Sequence, residues 1–283
     1  MLANNGIKLK STAVLSQIIH SEDHLSFSLD QIYDECIIKN SNGDGIQINI
    51  LIDHSNVAEY KQLVLDAIQF VSLQLNLDFY SLHIELTIFK YNKAIYNLGC
   101  KESIWSVVVS SFYNFYKYEI NKHSLIQEAP LFLDKNVLAA SLMGTCQFSP
   151  INKTSFRINL PKPLFFLIIS CKDIMIKKNT NFSCLASLIH GFSTYNFDLI
   201  KDSFNLIDLE IPKTLSDLFN FLNNNKEKLL GISSRCDNQL ILLFNNSNHV
   251  DDIIDGATPL LQNLQNLSFI KSSSLSTEGT YLL

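Results

Sequence analysis

Two runs of alternating apolar and polar residues flank a turn sequence near the start of the chain. Leu25–Ile38 and Ile46–Ile52 place apolar side chains at roughly every second position, and the sequence N-G-D-G lies between them at 42–45. Alternation is typical of strands that bury one face, and Asn-Gly and Asp-Gly pairs favour hairpin turns. Ile7–Leu9 alternates as well, so the sequence predicts an antiparallel sheet in which the two longer runs form a hairpin.

The apolar period lengthens after this region, which indicates helices. One stripe on a single helical face consists of Tyr60, Leu63, Val64, Ala67, Ile68, Val71 and Leu75. Asn56 can cap this helix, with Glu59 at the capping-box position. After a predicted strand at 82–88, a second helix is expected from about Ser103 to Tyr118. Its aromatic residues are interpreted as packing residues rather than as a ligand site.

The second half of the chain alternates shorter strands and helices. Strands are predicted at 156–160, 164–170, 240–244, 267–271 and 280–282, and helices near 182–192, 215–229 and 250–264. The composition shifts near 149–152, where we expect a boundary between lobes. The sequence therefore predicts an α+β protein with two lobes, 1–150 and 151–283.

The composition narrows the classes of function. A chain of 283 residues with 47% hydrophobic content can bury a large core. Its net charge is −5 and only 17% of its residues are charged, so it lacks the basic field of a nucleic-acid-binding protein. The first 20 residues lack a secretory pattern, and the longest apolar run, Leu164–Ile169, cannot span a bilayer. We expect a soluble cytoplasmic protein without nucleic-acid or membrane partners.

The six cysteines are scattered along the chain without a C-x-x-C pair. In a cytoplasmic chain such residues are typically buried reduced thiols. The sequence therefore predicts neither disulfides nor a zinc site.

The remaining motifs form an ordered set. Neither G-x-x-x-x-G-K-[ST] nor G-x-G-x-x-G occurs, which excludes a P-loop and a Rossmann nucleotide site. Four other segments follow one another along the chain: 8–35, which ends in D-Q-I-Y-D-E, 99–108 (G-C-K-E-S-I-W-S-V-V), 133–144 (L-D-K-N-V-L-A-A-S-L-M-G) and 231–242 (G-I-S-S-R-C-D-N-Q-L-I-L). In order and spacing they resemble the motifs of the GHMP kinases, in the homoserine kinase branch.

This resemblance implies a fold and a reaction. The fold would have a ribosomal S5 domain 2-like N-terminal lobe and a ferredoxin-like C-terminal lobe, with the site between them. The reaction would be transfer of the γ-phosphoryl group of ATP to the hydroxyl of L-homoserine, or of a related alcohol, in threonine biosynthesis. The implied cofactors are ATP and Mg²⁺, and a homodimer is left open.

The resemblance also implies roles for individual residues. The phosphate loop would comprise Gly99, Cys100, Lys101, Glu102, Ser103 and Ser106. Ser103 would also hold Mg²⁺, and with Asn136 it is the candidate catalytic residue. Asp23, Gln17 and Asn136 would bind the substrate. The arginines expected near Thr180 and Leu209 are missing, and Lys177 or Lys178 could replace them as a point charge.

Departures from the family pattern leave alternatives open. Glu102 stands in the phosphate loop, and a carboxylate about 4 Å from a phosphate charge repels it by about 4 kcal/mol at an effective dielectric constant of about 20. Lys101 could offset this repulsion, or Glu102 could itself bind Mg²⁺. Ser103 could be only a helix N-cap, and Asp23 and Asn136 only turn or capping residues. The alternative function is a catalytically degenerate pseudokinase that keeps the fold as a binding or assembly module.

Overall fold

A computed structural model of the chain describes residues 6–18, 25–52, 57–148, 155–158, 160, 163–172, 176–179, 182–235, 238–264 and 267–283. Its strands are β1 (Ile7–Ser16), β2 (Leu25–Asn40), β3 (Ile46–Leu51), β4 (Ile84–Lys90), β5 (Cys146–Phe148), β6 (Phe156–Ile158), β7 (Phe165–Cys171), β8 (Lys177–Asn179), β9 (Asp208–Glu210), β10 (Gly231–Arg235), β11 (Gln239–Phe244), β12 (Leu267–Ser274) and β13 (Tyr281–Leu282). Its helices are α1 (Val57–Gln74), α2 (Cys100–Phe115), α3 (Lys122–Glu128), α4 (Lys135–Met143), α5 (Phe182–Thr194), α6 (Phe197–Asn205), α7 (Ser216–Asn224) and α8 (Ser247–Gln262).

The chain divides into two compact units. The first comprises Met1–Leu15, Phe27–Gly144 and Ser276–Leu283, and the second comprises Ser16–Ser26 and Thr145–Leu275. The main transition between them, at 144–145, lies close to the predicted boundary near 150. Residues 149–154 are outside the described part of the chain, so the exact lobe limits stay a prediction.

The sheet of the first unit has the strand order β13-β1-β2-β4-β3. The predicted hairpin between β2 and β3 is wrong, because β4 lies between the two strands. β4 pairs antiparallel with β2, where Leu86 faces Ile38, and parallel with β3, where Leu86 faces Ile48. The turn at 41–45 does reverse the chain, but the gap that it leaves is filled by a strand from farther along the sequence.

Helices α1 and α2 supply much of the core of this unit. Most of the predicted α1 stripe is buried, as is the predicted face of α2. The indole ring of Trp105 on α2 is fully buried and its centroid lies 5.1 Å from that of Phe70 on α1. Most of α2 is therefore buried within this unit, while Lys101 in its first turn is exposed.

Helix α2 begins one turn earlier than predicted. It starts at Cys100 and ends at Phe115, whereas the sequence suggested Ser103 to Tyr118. Asn56, the predicted cap of α1, lies outside the described residues. This difference matters, because Cys100, Lys101 and Glu102 lie in the first turn of α2 and not in the loop that the sequence predicted.

The second unit contains a four-stranded antiparallel sheet of order β10-β11-β7-β12. Apolar side chains from β7 and β11 pack with those of α7 and α8 in one buried cluster. Two short antiparallel pairs, β5 with β6 and β8 with β9, complete the strands of this part of the chain. Helix α6, which the sequence did not reveal, packs beside α5.

The expectations about membrane-spanning segments and about the cysteines can be compared with the described residues. Within them, no helix has both the length and the apolar character required to cross a bilayer. Five of the six cysteines lie in this part of the chain and all five are free thiols, four of them buried. The described residues also contain no cluster of His, Cys, Asp or Glu that could hold a metal ion.

Candidate active site

Gly99 caps the N-terminus of α2 in a left-handed conformation, with a φ of 63°. This φ favours glycine, because a Cβ would strain the backbone. A Cβ here would also lie 2.5 Å from Cγ1 of Val137 and 3.4 Å from Cβ of Val14. The start of α2 is therefore packed tightly against an apolar surface formed by β1 and α4.

Glu102 lies in the first turn of α2 with only 8% of its surface exposed. Its Oε1 accepts a hydrogen bond from the backbone N–H of Asp134 at 3.0 Å, and the carboxylate also accepts from its own backbone N–H. Burial raises the pKa of Glu102, and the negative charge of Asp134 adds to this effect. The positive end of α2 thus already has a carboxylate beside it.

Ser103 is fully buried, and its hydroxyl points into the unit rather than towards solvent. Its Oγ donates to Oδ2 of Asp34 at 2.8 Å, while the carbonyl oxygen of Ser11 lies at 3.4 Å. Since Gly99 is the N-cap, Ser103 is not the capping residue of this helix. Its assignment as the Mg²⁺ ligand stays a prediction.

Asp34 and Lys90 form a fully buried ion pair next to Ser103. The Lys90 ammonium donates to both carboxylate oxygens, at 3.0 and 2.8 Å, and to the carbonyl oxygen of Asn92. The backbone N–H of Asn92 donates to Oδ1 of Asp34 at 3.0 Å. A buried pair of this kind is stable only when its remaining polar groups are also bonded, and here the partners bond both charges.

The same network holds the loop that precedes α2. The side-chain amide of Asn92 donates to the carbonyl oxygen of Leu98 at 2.9 Å, and the Cys100 thiol lies 3.5 Å from the carbonyl oxygens of Asn92 and Lys93. Burial raises the pKa of Cys100, so its thiol stays protonated near neutral pH. Cys100 is therefore a packing residue that holds this loop against the start of α2.

Lys101 and Ser106 differ in their surroundings. The Lys101 ammonium is about half exposed and lies 3.6 Å from a carboxylate oxygen of Glu59. A cavity of about 380 Å³ adjoins it, with walls that include Tyr60, Leu63 and Phe132. Ser106 is buried one turn further along α2, and its hydroxyl has no hydrogen-bond partner among the described residues.

Asn136 is the second residue of α4, and its backbone N–H donates to Oδ1 of Asp134, the N-cap of that helix. The side chain of Asn136 is partly exposed. Gly144, the glycine that ends this motif, has a φ of 78°, and a Cβ there would lie 2.3 Å from the backbone of Glu278. Close packing of the C-terminal segment therefore explains that glycine.

The other predicted substrate residues belong to the second unit. Asp23 lies outside the described residues. Three consecutive carbonyl oxygens, those of Ser16, Gln17 and Ile18, accept hydrogen bonds from Nε of Arg235, Nζ of Lys178 and Oγ of Ser233, respectively.

The two candidate lysines are therefore not equivalent. Lys178 also donates to the carbonyl oxygen of Ser234 at 2.6 Å and is partly buried. Lys177 is 66% exposed and lies 3.6 Å from a carboxylate oxygen of Glu210. Lys178 thus anchors the segment that carries Gln17, and Lys177 does not.

The structure brings together Gly99, Cys100, Lys101, Glu102 and Ser103 at the start of α2, with Asn136 on the adjacent α4. Sequence reasoning missed Lys90, and included Asp34 and Arg235 only as parts of motifs. One clue was available, because Asp34 and Lys90 are charged residues within strands whose apolar positions predict burial. Nothing in the sequence, however, indicated that these two strands would be neighbours.

No family model matches the sequence, and no curated protein does. Solved structures do match across the full chain. A homoserine kinase from Cytophaga hutchinsonii has a TM-score of 0.72 at 14% identity, covering 100% of this chain and 98% of its own. Mevalonate diphosphate decarboxylase from Staphylococcus aureus has a TM-score of 0.68 at 11% identity, covering 99% and 98%. A mevalonate kinase from L. major has a TM-score of 0.67 at 11% identity, covering 97% and 98%.

The chain therefore has the GHMP-kinase fold, as the motif order predicted. Its structural neighbours include a homoserine kinase and a mevalonate kinase. Identities of 9–14% establish the fold and leave the reaction open.

Proposed function

We propose that the chain is a phosphotransferase of the homoserine kinase type, which transfers the γ-phosphoryl group of ATP to the hydroxyl of L-homoserine at a low rate. The observation that carries the proposal is the left-handed Gly99 cap at the start of a 16-residue helix, within a chain whose whole length has this fold. Such a helix start presents backbone N–H groups to an anion.

The nucleotide would lie at the start of α2. The N–H groups of the first helical turn would bind its phosphates, and the exposed Lys101 ammonium would add a positive charge. The cavity next to Lys101 has the size and the partly apolar walls that suit a nucleobase. Because Glu102 occupies the same helix end, its carboxylate has to move or take up a proton when phosphate binds.

The donor set for Mg²⁺ fits only in part. Ser103, the predicted ligand, has its hydroxyl bound to Asp34, and both oxygens of Asp34 are bound by Lys90. Glu102 supplies a carboxylate at this helix end, but its oxygens are bound by the backbone N–H groups of Asp134 and of Glu102 itself. We therefore assign Mg²⁺ binding to the phosphates of ATP, and derive no step from Ser103 or Glu102.

The acceptor would be bound by its charged ends. Lys178 and Arg235 are cations next to the segment that carries Gln17. Their positive charges would bind the carboxylate of the substrate. In the reaction the homoserine hydroxyl oxygen bonds to the γ-phosphorus as the bond to the β–γ bridging oxygen breaks. ADP leaves, and the hydroxyl proton is released to water. Such transfer depends mainly on positioning and charge neutralisation, so a distorted loop lowers its rate.

A coupled assay of ADP release, with and without L-homoserine, tests the proposal. We expect release that depends on homoserine and on Mg²⁺, and little release with D-homoserine, because the inverted centre misplaces the hydroxyl. Lys177→Met serves as a control, because Lys177 is exposed and its substitution should leave the homoserine-dependent release largely unchanged. Homoserine-independent release alone, in both the wild type and Glu102→Gln, would contradict it.

The second candidate function is a binding or assembly module without catalysis. It is favoured by the packing at the start of α2, where Val137 covers Gly99 and the Glu102 carboxylate occupies the helix end. This candidate predicts that neither the wild type nor Glu102→Gln turns over ATP, although both are folded. The same assay therefore separates the two candidates.

A further inference from the structure

A second cavity lies wholly within the second unit and has a volume of about 380 Å³. Pockets for small molecules typically measure about 300–1,000 Å³, so this cavity is large enough for a small ligand. Its walls come from α6, β9, α7 and the start of β10. Its apolar lining includes Phe204, Ile207, Leu209, Ile211, Phe219 and Ile232.

The local sequence explains why the cavity exists. Residues of β9 alternate, so that Leu209 faces the cavity while Asp208 and Glu210 are exposed. Gly231 begins β10 against the ring of Phe204, and a Cβ at this position would lie 2.1 Å from Cγ of that ring. The glycine thus lets Phe204 lie flat against the strand and form one wall.

Two lysines contribute to the lining, Lys201 from α6 and Lys226 from the segment after α7. Neither ammonium group has an ion pair or a hydrogen bond with any of the described residues. None of the described lining residues is acidic, and the polar remainder consists of Asn205 and Asn223. A cavity of mixed polarity, with apolar walls and with two cations and two amides at its polar positions, is complementary to a ligand with an apolar body and an anionic end.

We propose that this cavity binds a small organic carboxylate with an alkyl or aryl body. The body would be buried against Phe204, Leu209 and Phe219, which removes apolar surface from water. The carboxylate would pair with Lys201 and Lys226, whose ammonium groups serve as point charges for an anion. The lining of this cavity shares no residue with the set assigned to phosphoryl transfer, and the inference holds whether or not the chain is catalytic.

Isothermal titration with 4-phenylbutyrate and with its neutral amide, 4-phenylbutanamide, tests this inference. We expect the carboxylate to bind about tenfold more tightly than the amide, since two partly exposed ion pairs each contribute a few-fold. Lys201→Met and Lys226→Met should each reduce that preference, and the double variant should abolish it. Lys213→Met, which removes an exposed lysine of the same unit that does not line the cavity, should leave it unchanged.

Two further measurements keep the inference testable if a lysine variant folds poorly. Raising the NaCl concentration to about 0.5 M should weaken binding of the carboxylate and leave that of the amide unchanged, because salt screens only the charged ligand. Asn205→Trp, at an exposed lining position, should block both ligands. Equal affinities for carboxylate and amide, an equal loss in Lys213→Met, or no binding of the carboxylate would each overturn the proposal.

Discussion

The carboxylate of Glu102 on α2 accepts a hydrogen bond at 3.0 Å from the backbone N–H of Asp134, the residue that caps α4. One side chain therefore connects the starts of two helices. It also places a negative charge where the proposed function places the phosphates of ATP. Under that proposal, Glu102 is both a structural link within the first unit and an obstacle to nucleotide binding.

Glu102→Gln should strengthen binding of MgATP by roughly tenfold. The amide keeps an acceptor for the Asp134 N–H but removes the negative charge. That charge would repel a phosphate by about 4 kcal/mol at 4 Å and an effective dielectric constant of about 20. We expect a smaller effect on affinity, because the wild-type side chain moves away from the phosphate and avoids most of this repulsion. Calorimetric titration measures the affinity. Glu119→Gln is the matched control, because it removes an equal charge from an exposed residue that does not line the cavity beside Lys101. Equal affinities for wild type and Glu102→Gln would contradict this role for Glu102.

The same substitution should change the pH dependence of stability. Burial raises the pKa of Glu102 above its ordinary value of 4.5, so the folded state holds the proton more tightly than the unfolded state. The resulting stabilisation is complete below pH 4.5 and is lost as the pH rises through the folded pKa. Urea unfolding should therefore show that Glu102→Gln gains stability relative to wild type between pH 5 and pH 8. A difference that does not vary with pH would exclude this explanation.

Asp34→Asn should destabilise the first unit by about 3–5 kcal/mol, because it leaves the buried Lys90 ammonium without its counter-ion. The double variant Asp34→Leu/Lys90→Met should recover only part of that loss, since it removes both charges but leaves the Ser103 hydroxyl and the Asn92 N–H without their acceptor. Asp30→Asn is the control, as its ion pair with Lys10 is partly exposed and should contribute less than about 1 kcal/mol. Urea unfolding gives all three values, and a cost for Asp34→Asn as small as the control would disprove the prediction.

Lys178→Met should raise KM for homoserine at least about tenfold with a smaller change in kcat, because Lys178 supports the Gln17 backbone and supplies a cation. Lys177→Met should change KM by less than about twofold, since Lys177 is exposed and its ammonium pairs with the exposed carboxylate of Glu210. Steady-state kinetics of ADP release measure both. Similar KM values for the two variants would remove Lys178 from the acceptor site.

The sequence predicted helices and strands best where a long apolar pattern dominates. The stripe from Tyr60 to Leu75 located α1 within a few residues. The start of α2 was misplaced because Lys101 and Glu102 are polar and follow a glycine, a pattern typical of loops. The N-G-D-G turn predicted a chain reversal, but turn residues carry no information about a strand that enters from residues 84–90.

The candidate site was predictable as a set of positions and not as a set of contacts. The order of the motifs is sufficient to predict that Gly99, Ser103 and Asn136 lie near one another. The direction of the Ser103 hydroxyl was not predictable, because it depends on Asp34, which is 69 residues away in the sequence. Lys90 was missed because a charged residue at a strand end is usually exposed. Its buried partner, Asp34, is also far from it in the sequence.

The most direct test of the proposed activity is phosphorus NMR of wild-type protein incubated with MgATP and L-homoserine. We predict a phosphate monoester resonance of O-phosphohomoserine that grows slowly, in step with ADP, and grows faster with Glu102→Gln. Folding of both proteins is checked by circular dichroism in the same buffer. If neither folded protein forms the monoester, or if the only phosphorus product besides ADP is inorganic phosphate, the chain is not a homoserine kinase.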